Sequence, residues 1–432
     1  DLHSNTHSFP TRRSSDLRFS YGKVGNDKIG RRFLYLPDVY FMNTTIVHPY
    51  FEHRIRFGLP GNTSIYPIAQ QGAAGNPNVT WEKSTKINYG AELSFLKGNL
   101  KATFDYFTED RVDILIDQRV VPIYQQKGQI ALNLGHVMNR GYEAELGWNS
   151  KIGQNSRLMA TANYTFARNK IIEMDEPEQL YDYRMQTGRR VGEMWGYLQE
   201  DFFKTEEDAK AYRDELWEVF LQNNPDADKS EYQAYQIFLS GHDVGAGDLK
   251  FIDRNNDGLI NSLDEGFINK VNFPESLFAF NFYYQYKAFS FSFLLQGATN
   301  FATNIHVANN FEPTTSSLMH FVSERYTPER HEAGELINYP RFIETNNNWK
   351  YYNGAFWIRD ASYLRIKSFQ ISYSFQNSVV LKKISLNNLE LVISGHDLYT
   401  FTKLENIDPE TQNGELLYPR TRTFNLGIKA QF

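Results

Sequence analysis

Asp253, Asn255, Asp257, Asn261 and Asp264 are the residues of this chain best spaced to do chemistry, and the chemistry is cation binding. They stand in a D-x-N-x-D-G run with an acid at its twelfth place, which is the ligand spacing of an EF-hand calcium loop. Gly258 supplies the sharp turn that lets such oxygens converge. The spacing predicts a Ca2+ site in the loop 253–264, with ligands at about 2.3–2.6 Å. The alternative is an Asx-rich turn that closes on its own backbone without metal. No amphipathic helices flank the run as they would in an EF-hand.

A second set of candidates is aromatic. Phe311, Tyr326, Trp349, Tyr351, Tyr352 and Trp357 crowd the stretch 306–358. Aromatic faces stack on sugars, so Trp349, Tyr351, Tyr352 and Trp357 are candidate contacts with a ligand or partner. The alternative is packing within the loop or an interface belt. Catalytic patterns are missing. His331-Glu332 has no second histidine at metalloprotease spacing, and there is no G-x-S-x-G, Walker loop or dinucleotide fingerprint. Glu143 and Glu145 share one strand face, where they serve most simply to hydrate it. The chain reads as a non-enzyme.

The elements that must carry these residues are strands. In the closing stretch, Phe424, Leu426, Ile428, Ala430 and Phe432 fall on one face while Thr423, Asn425, Lys429 and Gln431 fall on the other. The same alternation occupies Ile87–Phe95, Leu100–Tyr106, Tyr142–Trp148, Leu158–Phe166, Phe278–Tyr286, Phe289–Leu295 and Leu389–Ile393. Between Leu364-Ile366 and Phe369-Ile371 the parity changes, which predicts a bulge near Lys367-Ser368. With a first strand around Arg18–Val24, about ten strands of membrane-spanning length result. Their connections alternate: short near 97–99, 152–156, 287–289 and 377–387, long at 27–84, 114–138, 170–275, 301–361 and 400–419. Short turns on one rim and long loops on the other predict an all-β, antiparallel transmembrane barrel, with Glu206–Asn223 as a helical insert in an extracellular loop. Ten strands are part of a larger closure, because a sheet edge cannot be left open in lipid.

Composition agrees with that reading. Of 432 residues 15% are aromatic, and the mean hydropathy is -0.53. No run of about 18 apolar residues occurs, so membrane helices are excluded while lumen-diluted strands are not. There is no cysteine, hence no disulfide and no thiol chemistry, and the net charge of -6 with no basic face argues against nucleic acid. Residues 1–17 are a different matter: HSFPTRRSSDL back-translates to a string resembling a short-read sequencing adapter. They are expected to be an artefact and disordered, leaving 18–432 as the C-terminal part of the barrel with its N-terminal portion lost.

GNPNVTWEKS (75–84), VGEMWGYLQEDFFKTEED (191–208), GDLKFIDRNNDGLINSLDE (247–265), FWIRDASYLRIKSFQISYSF (356–375), ISGHDLYTFTKLENIDPE (393–410) and the ending YPRTRTFNLGIKAQF together resemble the SusC/RagA family. These are TonB-dependent transporters of the Gram-negative, Bacteroidetes outer membrane. The resemblance implies a 22-stranded barrel with an N-terminal plug, driven by TonB–ExbB–ExbD. It also implies a SusD-like surface lipoprotein that delivers glycan oligosaccharides or peptides. A passive porin and a soluble β-rich carbohydrate-binding protein are the alternatives.

Overall fold

A computed structural model describes residues 15–27, 33–37, 40–43, 54–59, 62–71, 75–120, 130–228, 244–305, 323–341, 354–376, 386–405, 407–411 and 420–431. Ten strands form one antiparallel sheet in which sequence neighbours are spatial neighbours. They are β1 (Ser15–Asn26), β2 (Glu82–Phe95), β3 (Leu100–Asp117), β4 (Ala131–Ile152), β5 (Ser156–Glu173), β6 (Ser276–Tyr286), β7 (Phe289–Thr299), β8 (Tyr363–Gln376), β9 (Asn388–Thr402) and β10 (Thr423–Gln431). The meander is open: β1 and β10 lie at its two ends, each paired on one side only.

Register decides what each face is. Directly opposed residues share a face, so one row can be followed across the sheet. Trp148, Ala160, Phe282, Phe293 and Phe369 make one such row, which ends at Gly395 and Phe424. Leu158, Tyr284, Phe291, Ile371, Ile393 and Leu426 make the next. The opposite face carries Glu92, Thr103, Glu145, Asn163, Gln296, Arg365 and Thr400 in corresponding rows. A sheet apolar on one side and charged on the other fits between lipid and a wet lumen. Many residues of the apolar face are exposed, Leu426 at 80% among them. Its aromatic rings cluster in the middle, Phe282 lying 5.2 Å from Phe293, and at both ends, with Tyr373–Phe375 at 4.8 Å and Tyr399–Phe401 at 4.7 Å.

The bulge falls where the parity change puts it. Leu294 faces Ser368 and Leu295 faces Ile366, so Lys367 is the extra residue, and its ammonium pairs with Asp397 at 2.8 Å. The short turns use positive φ where the chain reverses: Leu96, Lys97 and Gly98 in one, Gly153 in the next, Lys287 in the third. Most of the fourth, 377–387, lies outside the described residues, as does Phe432.

Three differences from the sequence reading have physical causes. Ser15, Asp16 and Leu17 extend β1 and pair with Leu93, Glu92 and Ala91, whereas disorder was expected through Leu17. Ladder hydrogen bonds use only the backbone, so an unpaired β2 edge recruits the next residues whatever their side chains. Residues 1–14 lie outside the described residues. Second, β3 and β4 run into both ends of the expected loop 114–138, pairing Asp117 with Ala131 past a register shift at Arg111–Ile114. At about 3.3 Å per residue, the 22 residues of β4 outreach a hydrocarbon layer about 30 Å thick, so its upper part stands above the membrane. Third, the described parts of the loops carry secondary structure. Helix α1 (Glu206–Asn223) keeps its expected bounds, is closed at its start by a capping box between Thr205 and Asp208, and buries Ala209, Leu216 and Phe220.

Adjacent leucines test the face assignment. Leu295→Arg, on the row of Phe280 and Ile366, should lower unfolding stability by about 2–4 kcal/mol in bilayers, while Leu294→Arg, beside Asn281 and Ser368, should cost well under half of that. Equal losses in denaturant titrations would mean that the two faces are not lipid and lumen.

Candidate functional site

Long loops are costly to order unless they bury something, and here they build a core of their own above the sheet. Tyr197, Phe203, Leu216, Phe251, Ile260 and Trp357 are among its buried members. Trp357 is 0% exposed, with Tyr339 stacked 6.4 Å away and Phe356 edge-on at 5.1 Å. The candidate ligand contact Trp357 is therefore corrected to a core residue: its indole faces are covered by protein. Tyr326 is buried as well, its hydroxyl donating to the Lys204 carbonyl at 3.0 Å. Phe311, Trp349, Tyr351 and Tyr352 lie outside the described residues.

Loop 253–264 is part of this core. Gly258 has φ of +82°, and a Cβ there would lie 2.5 Å from the Phe220 amide nitrogen on α1. The glycine is thus needed for its conformation and for close approach to the helix. All five candidate ligands lie in the loop, but their oxygens accept hydrogen bonds from its own amides. Asp253 takes the amides of Asn256 and Gly258, both at 2.7 Å; Asp257 takes Leu259 at 2.8 Å; Asn255 takes Asp257 at 3.2 Å. Asn261 takes Leu263 at 2.7 Å, and Asp264 takes Arg254 at 2.9 Å and Asn261 at 2.8 Å. That is the Asx-turn arrangement. Among the described residues no group of three or more acidic or histidine side chains is placed to hold a metal.

Charge pairs fasten the rim to the sheet, and composition alone did not reveal them. Arg365 on β8, 2% exposed, donates to Thr400 at 2.8 Å and to Asp408 at 2.8 Å, and pairs with Glu410 at 3.0 Å. Arg420 joins the same two carboxylates, and Tyr363 donates to Glu410 at 2.7 Å. Buried Glu275 holds Arg168 at 2.8 and 2.6 Å, and buried Asp248 holds Arg341 through two 2.6 Å bonds. Breaking one partner of such a pair leaves an uncompensated charge. The available signal was parity: Arg365 sits at a polar-face position between Leu364 and Ile366. Lower on the lumen wall Arg18 bridges Glu92 at 2.6 Å and Asp105 at 3.0 Å, which relieves the facing acids Asp105 and Glu143. His331 and Glu332 end a short helix capped by Thr327, with no metal-binding geometry around them among the described residues.

A cleft of about 230 Å³ opens at the rim, lined by Ile305, Asn338, Tyr339, Arg359, Lys403 and Leu404, with Glu405 and Ile407 closing it. Arg359 lies over the Phe356 ring at 4.7 Å, and burial pulls its pKa down.

Burial pushes the Asp264 carboxyl up to about 6, with Asp253 and Asp257 adding repulsion. Folded Asp264 thus keeps its proton from the ordinary 3.8 up to about 6, so the loop loses stability as pH rises through that window. The loss is at most about 3 kcal/mol. Protease cleavage around 247–266 should be slower at pH 4.5 than at pH 7, and Asp264→Asn should flatten the difference; a pH-independent rate in the unmutated protein contradicts the assignment.

Residues 14–389 match the family described as TonB dependent receptor-like, beta-barrel. The chain is 25% identical to TonB-dependent receptor P39 of Formosa agariphila, over 96% of this chain and 40% of that protein. To TonB-dependent receptor SusC of Bacteroides thetaiotaomicron it is 24% identical, over 96% of this chain and 37% of that protein. In structure it is similar to the RagAB peptide importer in its open-open state, with a TM-score of 0.65, 17% identity, and coverage of 97% of this chain and 40% of that one. The chain thus spans about 40% of the length of the relatives it matches. With strands, faces and rim as described, the chain belongs to the TonB-dependent receptor-like β-barrel family.

Proposed function

We propose that this chain forms part of the barrel wall and the extracellular rim of a SusC-type outer-membrane transporter. The parent protein imports glycan oligosaccharides or peptides, receives them from a SusD-like surface lipoprotein, and draws energy from TonB–ExbB–ExbD. The observation that carries the reading is the ten-stranded sheet with one lipid face, joined to an ordered loop core on one rim. A simple pore needs no packed superstructure of loops; a surface that docks a partner and admits cargo does. Family membership and the likeness to SusC and RagAB support the same reading, and it assigns no catalysis. A soluble sugar-binding protein is disfavoured by the membrane sheet.

Deleting the parent gene should abolish growth on one glycan or peptide source, and adding a protonophore to wild-type cells should stop uptake of it. The tagged parent should co-purify with a surface lipoprotein. Uptake that survives the protonophore would favour the passive porin.

Calcium in loop 253–264 is a separate proposal, supported by the ligand spacing and by oxygen donors of the right hardness. Calcium should slow proteolysis at 247–266, and Asp257→Ala should remove that protection. Equal cleavage with calcium and with chelator leaves the hydrogen-bonded turn as the whole account.

A further inference from the structure

Among the described residues Arg359 forms no ion pair with a carboxylate, although it stands in a cleft at the rim. Its neighbours are spoken for: Asp360 accepts from the Ser362 amide at 3.0 Å and pairs with Lys403 at 3.8 Å, while Glu324 holds the Asn338 amide at 2.7 Å. Glu405 is exposed, where water and salt screen it. Arg359 itself is half-buried, with the Phe356 ring 4.7 Å from its guanidinium carbon. A guanidinium covered on one face keeps its in-plane N–H groups for a bidentate acceptor. Arg359 lines the cleft of about 230 Å³ together with Asn338 and Tyr339.

We propose that this cleft is a subsite for a carboxylate, borne by a peptide C-terminus or by an acidic sugar. A partly desolvated guanidinium without a counter-ion is costly, and a carboxylate entering the cleft recovers that cost through two charge-assisted hydrogen bonds. The volume lies below the range of about 300–1,000 Å³ for pockets that enclose a whole small ligand. The cleft therefore holds one terminal unit while the rest of the chain lies outside. Tyr339 and Ile305 supply apolar lining against which the stem of that unit packs. The inference deepens the importer reading and rests on it for the ligand being cargo, though not for binding itself.

The test uses the detergent-solubilised full-length protein and two matched pairs of probes: trialanine with trialanine amide, and trigalacturonate with its methyl ester. At least one acid should bind about tenfold more tightly than its neutral partner by calorimetry, and which pair responds identifies the source of the carboxylate. Arg359→Gln should erase the preference and Arg359→Lys should keep part of it. In the unmutated protein the binding acid should slow phenylglyoxal modification of Arg359 by about tenfold, read by mass spectrometry. Acids that bind no better than their neutral partners, or an unchanged modification rate, overturn the subsite. Failed uptake with this preference intact would remove the transport reading alone.

Discussion

Everything in this chain depends on backbone hydrogen bonding in a medium that offers no replacement for it. An N–H or C=O left unpaired in hydrocarbon costs several kcal/mol, so a membrane-spanning strand must have neighbours on both sides. The ladder from β1 to β10 meets that demand at every internal strand and fixes the register residue by residue. Register in turn sets the two faces, because a slip of one residue would send the phenylalanines of β6 and β7 into the lumen and their serines and asparagine into lipid. The same requirement explains why Ser15–Leu17 join the ladder although nothing in their side chains asks for it.

Above the lipid the constraint changes, because water returns and loops must pay for order by burying surface. The rim does so with a core of aromatic and aliphatic side chains and with ion pairs that reach down to the sheet. Arg365 is the clearest case: it stands on the lumen face of β8 and gathers Asp408, Glu410 and Arg420 from the last loop. Glu275 with Arg168 does the same at the end of β5, while Asp248 with Arg341 ties two rim segments to each other. Loops held this way present a fixed surface above the sheet.

Much of this was legible in the residues because period-two alternation is a direct image of the two solvents. The ten strands, their order, the bulge at Lys367 and the bounds of α1 follow from local pattern alone. What pattern could not give is tertiary. Trp357 in an aromatic-rich loop looks the same whether its ring meets a sugar or Tyr339, and only packing separates the two. The oxygens of Asp253 and Asp257 have ligand spacing whether they meet a cation or their own amides, since both uses need the same tight turn. The upper ends of β3 and β4, 114–117 and 131–138, fall in the expected loop because, beyond the lipid, strands lose their apolar face and read as loop. Arg359 and Arg365 carry no signature beyond their parity and position; their roles come from which loops fold over them.

The most direct test of the account uses the absence of cysteine from these 432 residues, with any cysteine elsewhere in the full-length protein replaced by serine. Single cysteines placed along β6 and β7 in the full-length protein, each carrying an environment-sensitive fluorophore, would be probed in bilayers with lipid-borne and water-soluble quenchers. Positions 278, 280, 282, 291, 293 and 295 should respond to the lipid quencher, and 279, 281, 290, 292, 294 and 296 to the aqueous one. A strict alternation with reversed accessibility between adjacent residues is the predicted result. Uniform aqueous quenching along both strands would contradict a membrane-spanning sheet.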